Sequence, residues 1–104
     1  MDIDELQAGS KLDILMAEMM GTKAYPYSAN DQEGWSCNII DWLVEQGYMI
    51  TVYTGQYRDQ GVKARCCILR AGDLATSDGV DAIADNRPLA ICRAALKARE
   101  RWGE

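Results

Sequence analysis

The sequence predicts an α+β domain in which three helices surround a short antiparallel sheet, in the order α-α-β-β-α. Three segments carry apolar residues at three- and four-residue steps, the spacing of an amphipathic helix. Two runs rich in β-branched and aromatic residues lie between the second and third of these segments. The chain of 104 residues can form one hydrophobic core but not two, so residues 1–104 are predicted to be a single domain.

The first two helices are predicted on either side of a loop that holds two tyrosines. The first covers residues 2–20, but Gly9 and Ser10 interrupt it, so a later start is the alternative. Gly21 can end it in a left-handed conformation. The second runs from about Asn30 to Gln46. Its tryptophans are expected to pack into the core, although Trp35, near the helix start, could instead offer its ring to a ligand.

Two strands follow the second helix. They are predicted over Tyr48 to Thr54 and over Val62 to Arg70, and the glycine-bounded residues 55–61 would turn the chain between them. Residues 71–87 are small and polar, and a short helical turn at Val80–Ala84 is the one element predicted there. Long loops of this kind often serve function.

The third helix is predicted over Pro88 to Trp102. Proline suits the first helical turn because its missing N–H has no partner there. Four alanines keep the apolar stripe thin, so that another layer can approach closely. Arg93, Lys97 and the last-turn arginines are expected on the opposite, polar side of the helix, where cations suit the C-terminal dipole.

Two stretches resemble a known family. Tyr27-Ser28 followed by Trp35, and the run Pro88-Leu-Ala-Ile-Cys-Arg-Ala-Ala-Leu96, are similar to the small phage and prophage proteins of the phage ABA sandwich domain family. The helix that ends in Met20-Gly21 fits the N-terminal part of that family too. The resemblance implies helices layered as α-β-α and a phage origin, but it supplies no activity.

Composition excludes several classes of function. A net charge of −5 disfavours binding to duplex nucleic acid, which needs a basic face. Residues 1–50 hold nine acidic and two basic residues, whereas residues 51–104 hold seven and nine. No apolar run approaches the length of about 18–20 residues that spans a bilayer, so no membrane association is expected. The expected location is the cytoplasm, and a phage origin makes it that of an infected bacterial host.

Neither a metal, a cofactor nor an enzymatic activity is predicted. The chain has no histidine, and its four cysteines lack the CxxC spacing of zinc ligands, so they are interpreted as small buried hydrophobes. The GxSxG, HExxH, GxxxxGK[ST] and GxGxxG motifs are also missing from the sequence.

A binding site for a small nucleotide is predicted instead. Tyrosine and tryptophan rings can stack on a base, and arginine grips phosphate with two parallel hydrogen bonds. Lys63 and Arg65 share one strand face. For the basic residues, a solvated sheet face is the alternative. The candidate ligand-binding residues are Tyr25, Tyr27, Ser28, Trp35, Arg58, Lys63, Arg65 and Arg70.

The functional hypothesis joins this site to the phage resemblance. It is a homo-oligomeric sponge that sequesters a nucleotide immune signal, of the cyclic oligonucleotide or TIR-derived ADP-ribose type, and so counters host defence. Oligomerisation is expected because a domain of this size leaves one sheet face exposed unless a helix or a second copy covers it. The alternatives are an inhibitor that binds a host defence or regulatory protein directly, and an accessory phage protein without a ligand.

Overall fold

A computed structural model describes residues 2–29, 33–70 and 79–103. Within these ranges, three helices and three strands form the α+β domain that the sequence predicts. Two short 3-10 turns accompany them, at Ile3–Glu5 and Arg58–Gln60. The main elements are α1 (Ser10–Met20), α2 (Glu33–Glu45), β1 (Tyr48–Tyr57), β2 (Gly61–Arg70), β3 (Val80–Ala84) and α3 (Arg87–Trp102).

The sheet is antiparallel, with β2 between β1 and β3. The predicted helical turn at Val80–Ala84 is wrong, because these residues form β3. The segment alternates between the two faces of the sheet. Ala82 and Ala84 are buried, whereas Asp81 and Ile83 point the other way. The five residues of β3 form a strand because they make hydrogen bonds to β2. The periodicity of a short segment cannot predict such a pairing with a distant strand.

The core lies on one face of the sheet, where α3 packs against β2 and β3. Ala64, Cys66 and Ile68 of β2 are almost completely buried there. Residues 88–96 of α3 are all buried, since the helix contacts the sheet on one side and α1, α2 and the N-terminal turn on others. The small alanines of α3 allow this close approach, as predicted.

The opposite face of the sheet is open in the part of the chain that the structure describes. Met49 and Tyr53 of β1 and Ile83 of β3 are between 39% and 47% exposed on it. The layers therefore differ from the predicted α-β-α order, because the side chains that pack with α1, α2 and α3 all belong to one face.

The N-terminal segment is not one helix over 2–20, because the first helix takes the later start that the interruption at Gly9 and Ser10 left open. Gly9 has φ +148°, a conformation that side-chain-bearing residues rarely adopt, and α1 begins at the next residue. Gly21, with φ +71°, ends α1 as predicted. The predicted start of α2 at Asn30 lies outside the described residues.

Arg93 departs most from expectation. It was predicted on the polar side of α3, yet it is 7% exposed. Its Nε and Nη2 donate to the carbonyl of Leu6 at 2.9 and 2.6 Å, and Nη1 donates to the carbonyl of Ile83 at 3.3 Å. These bonds satisfy the buried guanidinium and fasten the N-terminal segment and β3 to α3.

The four cysteines divide into two groups. Cys66 and Cys92 are buried, as predicted. Burial raises the pKa of the Cys66 thiol to about 12 and that of Cys92 further still, so both are protonated at neutral pH. Cys37 is exposed on α2 and Cys67 is half-buried on the open sheet face, so the prediction of burial is wrong for both.

Candidate functional site

Three of the predicted ligand-binding residues form a cluster of aromatic rings on the helix side of the sheet. Tyr25 stacks on Trp35 with ring centroids 4.3 Å apart and planes 8° from parallel. Tyr27 meets both rings edge-on, at 6.0 and 6.3 Å. We call Tyr25, Tyr27 and Trp35 the stacked triad. Since the Tyr25 and Trp35 rings lie against each other, inserting a base between them would require them to separate.

Tyr27 has a structural role within the stacked triad. It is 2% exposed and belongs to the hydrophobic core. Its hydroxyl lies 2.8 Å from Thr22 Oγ1 and donates to the carbonyl of Lys23 at 3.3 Å. The protein's own chain therefore covers almost all of the Tyr27 ring, which corrects its prediction as a ligand contact.

The space beside the stacked triad does not suit a phosphate. A groove of about 270 Å³ adjoins the three rings, and it is also lined by Asp41 and Glu45 of α2. Two carboxylates at such a site repel an anionic ligand.

Ser28 is completely buried and binds the start of α1. Its Oγ and its backbone N–H both donate to Asp13 Oδ1, at 2.7 and 2.8 Å, and the N–H of Gly9 donates to Ser28 Oγ at 3.0 Å. The predicted role as a ligand contact is wrong, because Ser28 uses these groups to hold the loop against α1. Sequence analysis missed Asp13 as its partner.

Lys63 and Arg65 lie on the open sheet face, on the other side of the sheet from the stacked triad. Each binds a carboxylate from β3 or the residue after it. Arg65 Nη2 lies 2.7 Å from Asp81 Oδ2, and its guanidinium lies 5.9 Å from the centroid of the Tyr53 ring. The hydrogen bond to Asp81 raises the pKa of Arg65 further above neutral.

Lys63 donates to Asp85, and this hydrogen bond lowers the pKa of the Asp85 carboxyl below its usual value. Arg58 is exposed in the turn between β1 and β2. Arg70 is exposed at the end of β2, opposite Tyr48 in the ladder. The predicted residues are therefore not assembled into one pocket within a chain, because the sheet separates the stacked triad from Lys63 and Arg65.

A different cleft brings aromatic rings and a guanidinium together. It opens where the ends of α1, α2 and α3 meet the start of β1, and it has a volume of about 480 Å³. Tyr48 and Trp102 have ring centroids 5.7 Å apart at an angle of 34°. We call this space the Trp102 cleft. Its lining residues are Met19, Trp42, Leu43, Gln46, Tyr48, Ala95, Arg99, Trp102 and Gly103.

The lining of the Trp102 cleft suits an anionic ligand with an aromatic ring. Trp42, Tyr48 and Trp102 are each partly exposed, and Arg99 is exposed on the last turns of α3. Arg101 lies outside the lining but over the Trp102 ring, with its guanidinium 5.4 Å from the centroid. No carboxylate belongs to the described lining. Cations concentrated at the C-terminus of α3 are the sequence signal that could have pointed to this site.

A further depression, of about 590 Å³, lies between the N-terminal turn and α3. Its lining includes three carboxylates and two cations, and Lys97, one of the cations, lies 2.7 Å from Asp4 in an ion pair. The carboxylates are Asp2, Asp4 and Glu100, and the second cation is Arg101. An anion is disfavoured there despite the larger volume. The described residues contain no group of three side chains placed to hold a metal ion. None of the helices in the described ranges has the length and apolarity to cross a bilayer.

No family model, curated protein or solved structure matches this chain. The resemblance to the phage ABA sandwich domain family stays a prediction from the residues quoted above.

Proposed function

We propose that this protein binds a small nucleotide in the Trp102 cleft and acts by holding it rather than by converting it. The observation that carries the proposal is the convergence of three aromatic rings and an arginine around an opening of about 480 Å³. Small-molecule sites in proteins commonly have volumes of roughly 300–1,000 Å³ and combine apolar walls with a few polar groups.

Each lining group matches a part of a nucleotide. The exposed sides of Trp42, Tyr48 and Trp102 offer surfaces on which a base can stack. Arg99 offers the planar guanidinium that pairs with phosphate oxygens. Gln46, with one acceptor and two donors, can bond to the polar edge of a base.

Binding without turnover is supported by the chemistry of the lining. Histidine, the side chain whose ordinary pKa lies closest to neutral, is missing from the sequence. The described lining also holds no aspartate, glutamate, lysine, cysteine or serine, the side chains that together with histidine most often serve as general acids, bases or nucleophiles.

The biological role we propose is that of an anti-defence sponge. The protein would lower the free concentration of a nucleotide immune signal, cyclic or derived from ADP-ribose, in the cytoplasm of a phage-infected bacterium. This part rests on the resemblance to phage proteins. We place the nucleotide site in the Trp102 cleft and not at the residues predicted from the sequence, because Tyr27 and Ser28 are buried and Arg65 is bound to Asp81.

Isothermal titration of the purified protein tests the proposal. The panel contains cyclic dinucleotides, cyclic oligoadenylates, ADP-ribose and cyclic ADP-ribose, together with adenosine as the ligand without phosphate. We expect micromolar or tighter binding of at least one nucleotide and at least tenfold weaker binding of its nucleoside. No binding of any nucleotide by the wild-type protein contradicts the proposal.

Two arginine variants locate the site. Arg99→Ala is expected to weaken nucleotide binding, because a hydrogen bond to a charged group contributes about 1.5–3 kcal/mol. Arg58→Ala is the matched control, since Arg58 is equally an exposed arginine but lies in the turn between β1 and β2. Equal losses in both variants would place the ligand elsewhere.

A second function, inhibition of a host defence or regulatory protein, is favoured by the open sheet face. Met49, Tyr53 and Ile83 present exposed apolar surface there, a feature typical of protein contacts. Affinity capture from host lysate tests it. Recovery of one host protein by the wild type, and its loss with Ile83→Lys, would support inhibition; capture by both proteins alike would contradict it.

A further inference from the structure

The outer edge of β1 lacks the protection that edge strands usually have. No strand within the described ranges pairs with it, because β2 lies on its other side. Natural edge strands are commonly short, bulged, or marked by lysine or proline. β1 has ten residues, none charged and none proline, and its ladder with β2 runs through ten consecutive pairs without a bulge.

The other edge of the sheet is different. β3 has five residues, includes Asp81, and is followed directly by Asp85. A short strand with carboxylates is a poor template for another strand. The two edges are therefore unequal, and β1 is the one suited to pairing.

Apolar surface accompanies the β1 edge on both sides of the sheet. On the open face, Met49 and Tyr53 are 47% and 42% exposed. On the core side, Ile50 and Val52 are only partly buried. A partner strand at this edge would cover apolar groups as well as backbone.

We propose that β1 pairs with β1 of a second copy of the chain, antiparallel and about a two-fold axis, to form a continuous six-stranded sheet. The contact is isologous, since each copy offers the same strand. Because opposed residues must point their backbone groups at each other, β1 pairs with itself about a central residue, so nine of its ten residues pair and supply roughly eight to ten main-chain hydrogen bonds.

A second copy fits this edge better than an unrelated strand does. When β1 opposes itself with a central residue such as Tyr53 at the two-fold axis, Ile50 and Val52 of both copies lie on the core side and Met49 and Tyr53 on the open face, because side chains alternate with a period of two. Two copies of a chain with net charge −5 repel each other, and β1 is a ten-residue stretch that carries none of that charge.

The oligomeric state in solution tests the proposal, independently of any ligand. Sedimentation equilibrium of the wild type is expected to give twice the chain mass of 11.6 kDa. Thr51→Lys/Thr54→Lys replaces two exposed β1 threonines, one on each side of the sheet, and brings like charges together across the pairing. We expect this variant to have the mass of one chain and an unchanged circular dichroism spectrum.

Ile83→Lys is the matched control. Ile83 is exposed on the open face but lies on β3, at the opposite edge from β1. If the copies pair through β1, Ile83→Lys remains a dimer. If they associate through the open sheet face, Ile83→Lys becomes a monomer. A wild-type protein with the mass of one chain, a dimeric Thr51→Lys/Thr54→Lys variant, or a monomeric Ile83→Lys variant each overturns the proposal.

Hydrogen exchange of the wild type gives a second measurement that does not depend on a variant folding. The β1 amides that point away from β2 alternate along the strand. We expect them to exchange slowly in the dimer, and exchange as fast as that of exposed loop amides overturns the proposal.

Discussion

The stacked triad and the Trp102 cleft use the same kinds of side chain in opposite ways. In the stacked triad, Tyr25 lies flat on Trp35, and the Tyr27 ring is nearly perpendicular to both. In the Trp102 cleft, the rings border an opening of about 480 Å³ instead of filling it. The type of a side chain shows which ligands it can bind. Its packing decides whether it is available to a ligand or already in contact with other residues of the protein.

The same contrast separates the basic residues. Arg65 is held by Asp81 and lies over Tyr53, and Lys63 is held by Asp85. Arg99 is exposed and lines the Trp102 cleft. Substitutions in the first group are therefore expected to change stability or its pH dependence, whereas substitutions in the cleft are expected to change affinity.

The largest expected effect is the loss of the Tyr27 ring. Tyr27→Ala removes a side chain that is 2% exposed and leaves a cavity beside Tyr25 and Trp35. We expect the free energy of unfolding to fall by about 3–5 kcal/mol, as for other buried aromatic truncations. Urea denaturation followed by circular dichroism measures it.

Tyr27→Phe is the control, because it keeps the ring and removes the hydroxyl that contacts Thr22 and Lys23. A loss of about 1 kcal/mol is expected for it. Equal stabilities of Tyr27→Ala and wild type would show that the stacked triad is not a structural cluster.

Ser28→Ala is expected to have the next largest effect. It removes the acceptor of the Gly9 N–H and one of the two donors to Asp13 Oδ1. Leaving a buried polar group without its partner costs about 1–3 kcal/mol. Ser10→Ala, at an exposed position in the first turn of α1, is the control and should stay within about 0.5 kcal/mol of wild type in the same denaturation experiment.

Trp102→Ala tests whether the rings of the Trp102 cleft, unlike those of the stacked triad, contact the ligand. Stacking of a base on an aromatic side chain contributes about 1–3 kcal/mol, so affinity for the nucleotide found by titration should fall roughly 5- to 150-fold. Trp35→Ala is the matched control, since Trp35 belongs to the stacked triad, and its affinity should stay near that of wild type. Equal weakening in both variants would remove the distinction between the two regions.

Most of the fold could be predicted from local patterns. In α3, Asn86 caps the helix by accepting the N–H of Leu89 at 3.0 Å, Pro88 lies in the first turn, and the alanines form the buried stripe. These signals lie within a few residues of each other. β3 was missed because its five residues become a strand only through pairing with β2, which lies more than ten residues earlier in the chain.

The site was less predictable, because it depends on contacts between distant segments. Asp13 and Ser28 are 15 residues apart, and Arg93 reaches the carbonyl of Leu6 across 87 residues. Trp42, Tyr48 and Trp102 come from three different elements, so no local spacing joins them. Sequence analysis identified rings and guanidinium groups as the binding chemistry but could not tell which of them would meet.

The smallest expected effect concerns the ion pair between Lys63 and Asp85. The hydrogen bond from Lys63 holds the pKa of Asp85 below its usual value, so the folded state binds that proton less readily than the unfolded state. The pair therefore stabilises the fold at pH values above the ordinary aspartate pKa. This stability is lost as the pH falls through the lowered pKa.

Asp85→Asn tests whether the ion pair stabilises the fold at neutral pH and ceases to do so in acid. At neutral pH the variant should unfold slightly more easily than wild type, and the two denaturation curves should converge in acid and in high salt, because the pair is exposed. Asp59→Asn, in the exposed turn between β1 and β2, is the control and should follow the wild-type pH profile. If Asp85→Asn weakened nucleotide binding instead, the open sheet face would hold the ligand, and the contrast with the Trp102 cleft would be reversed.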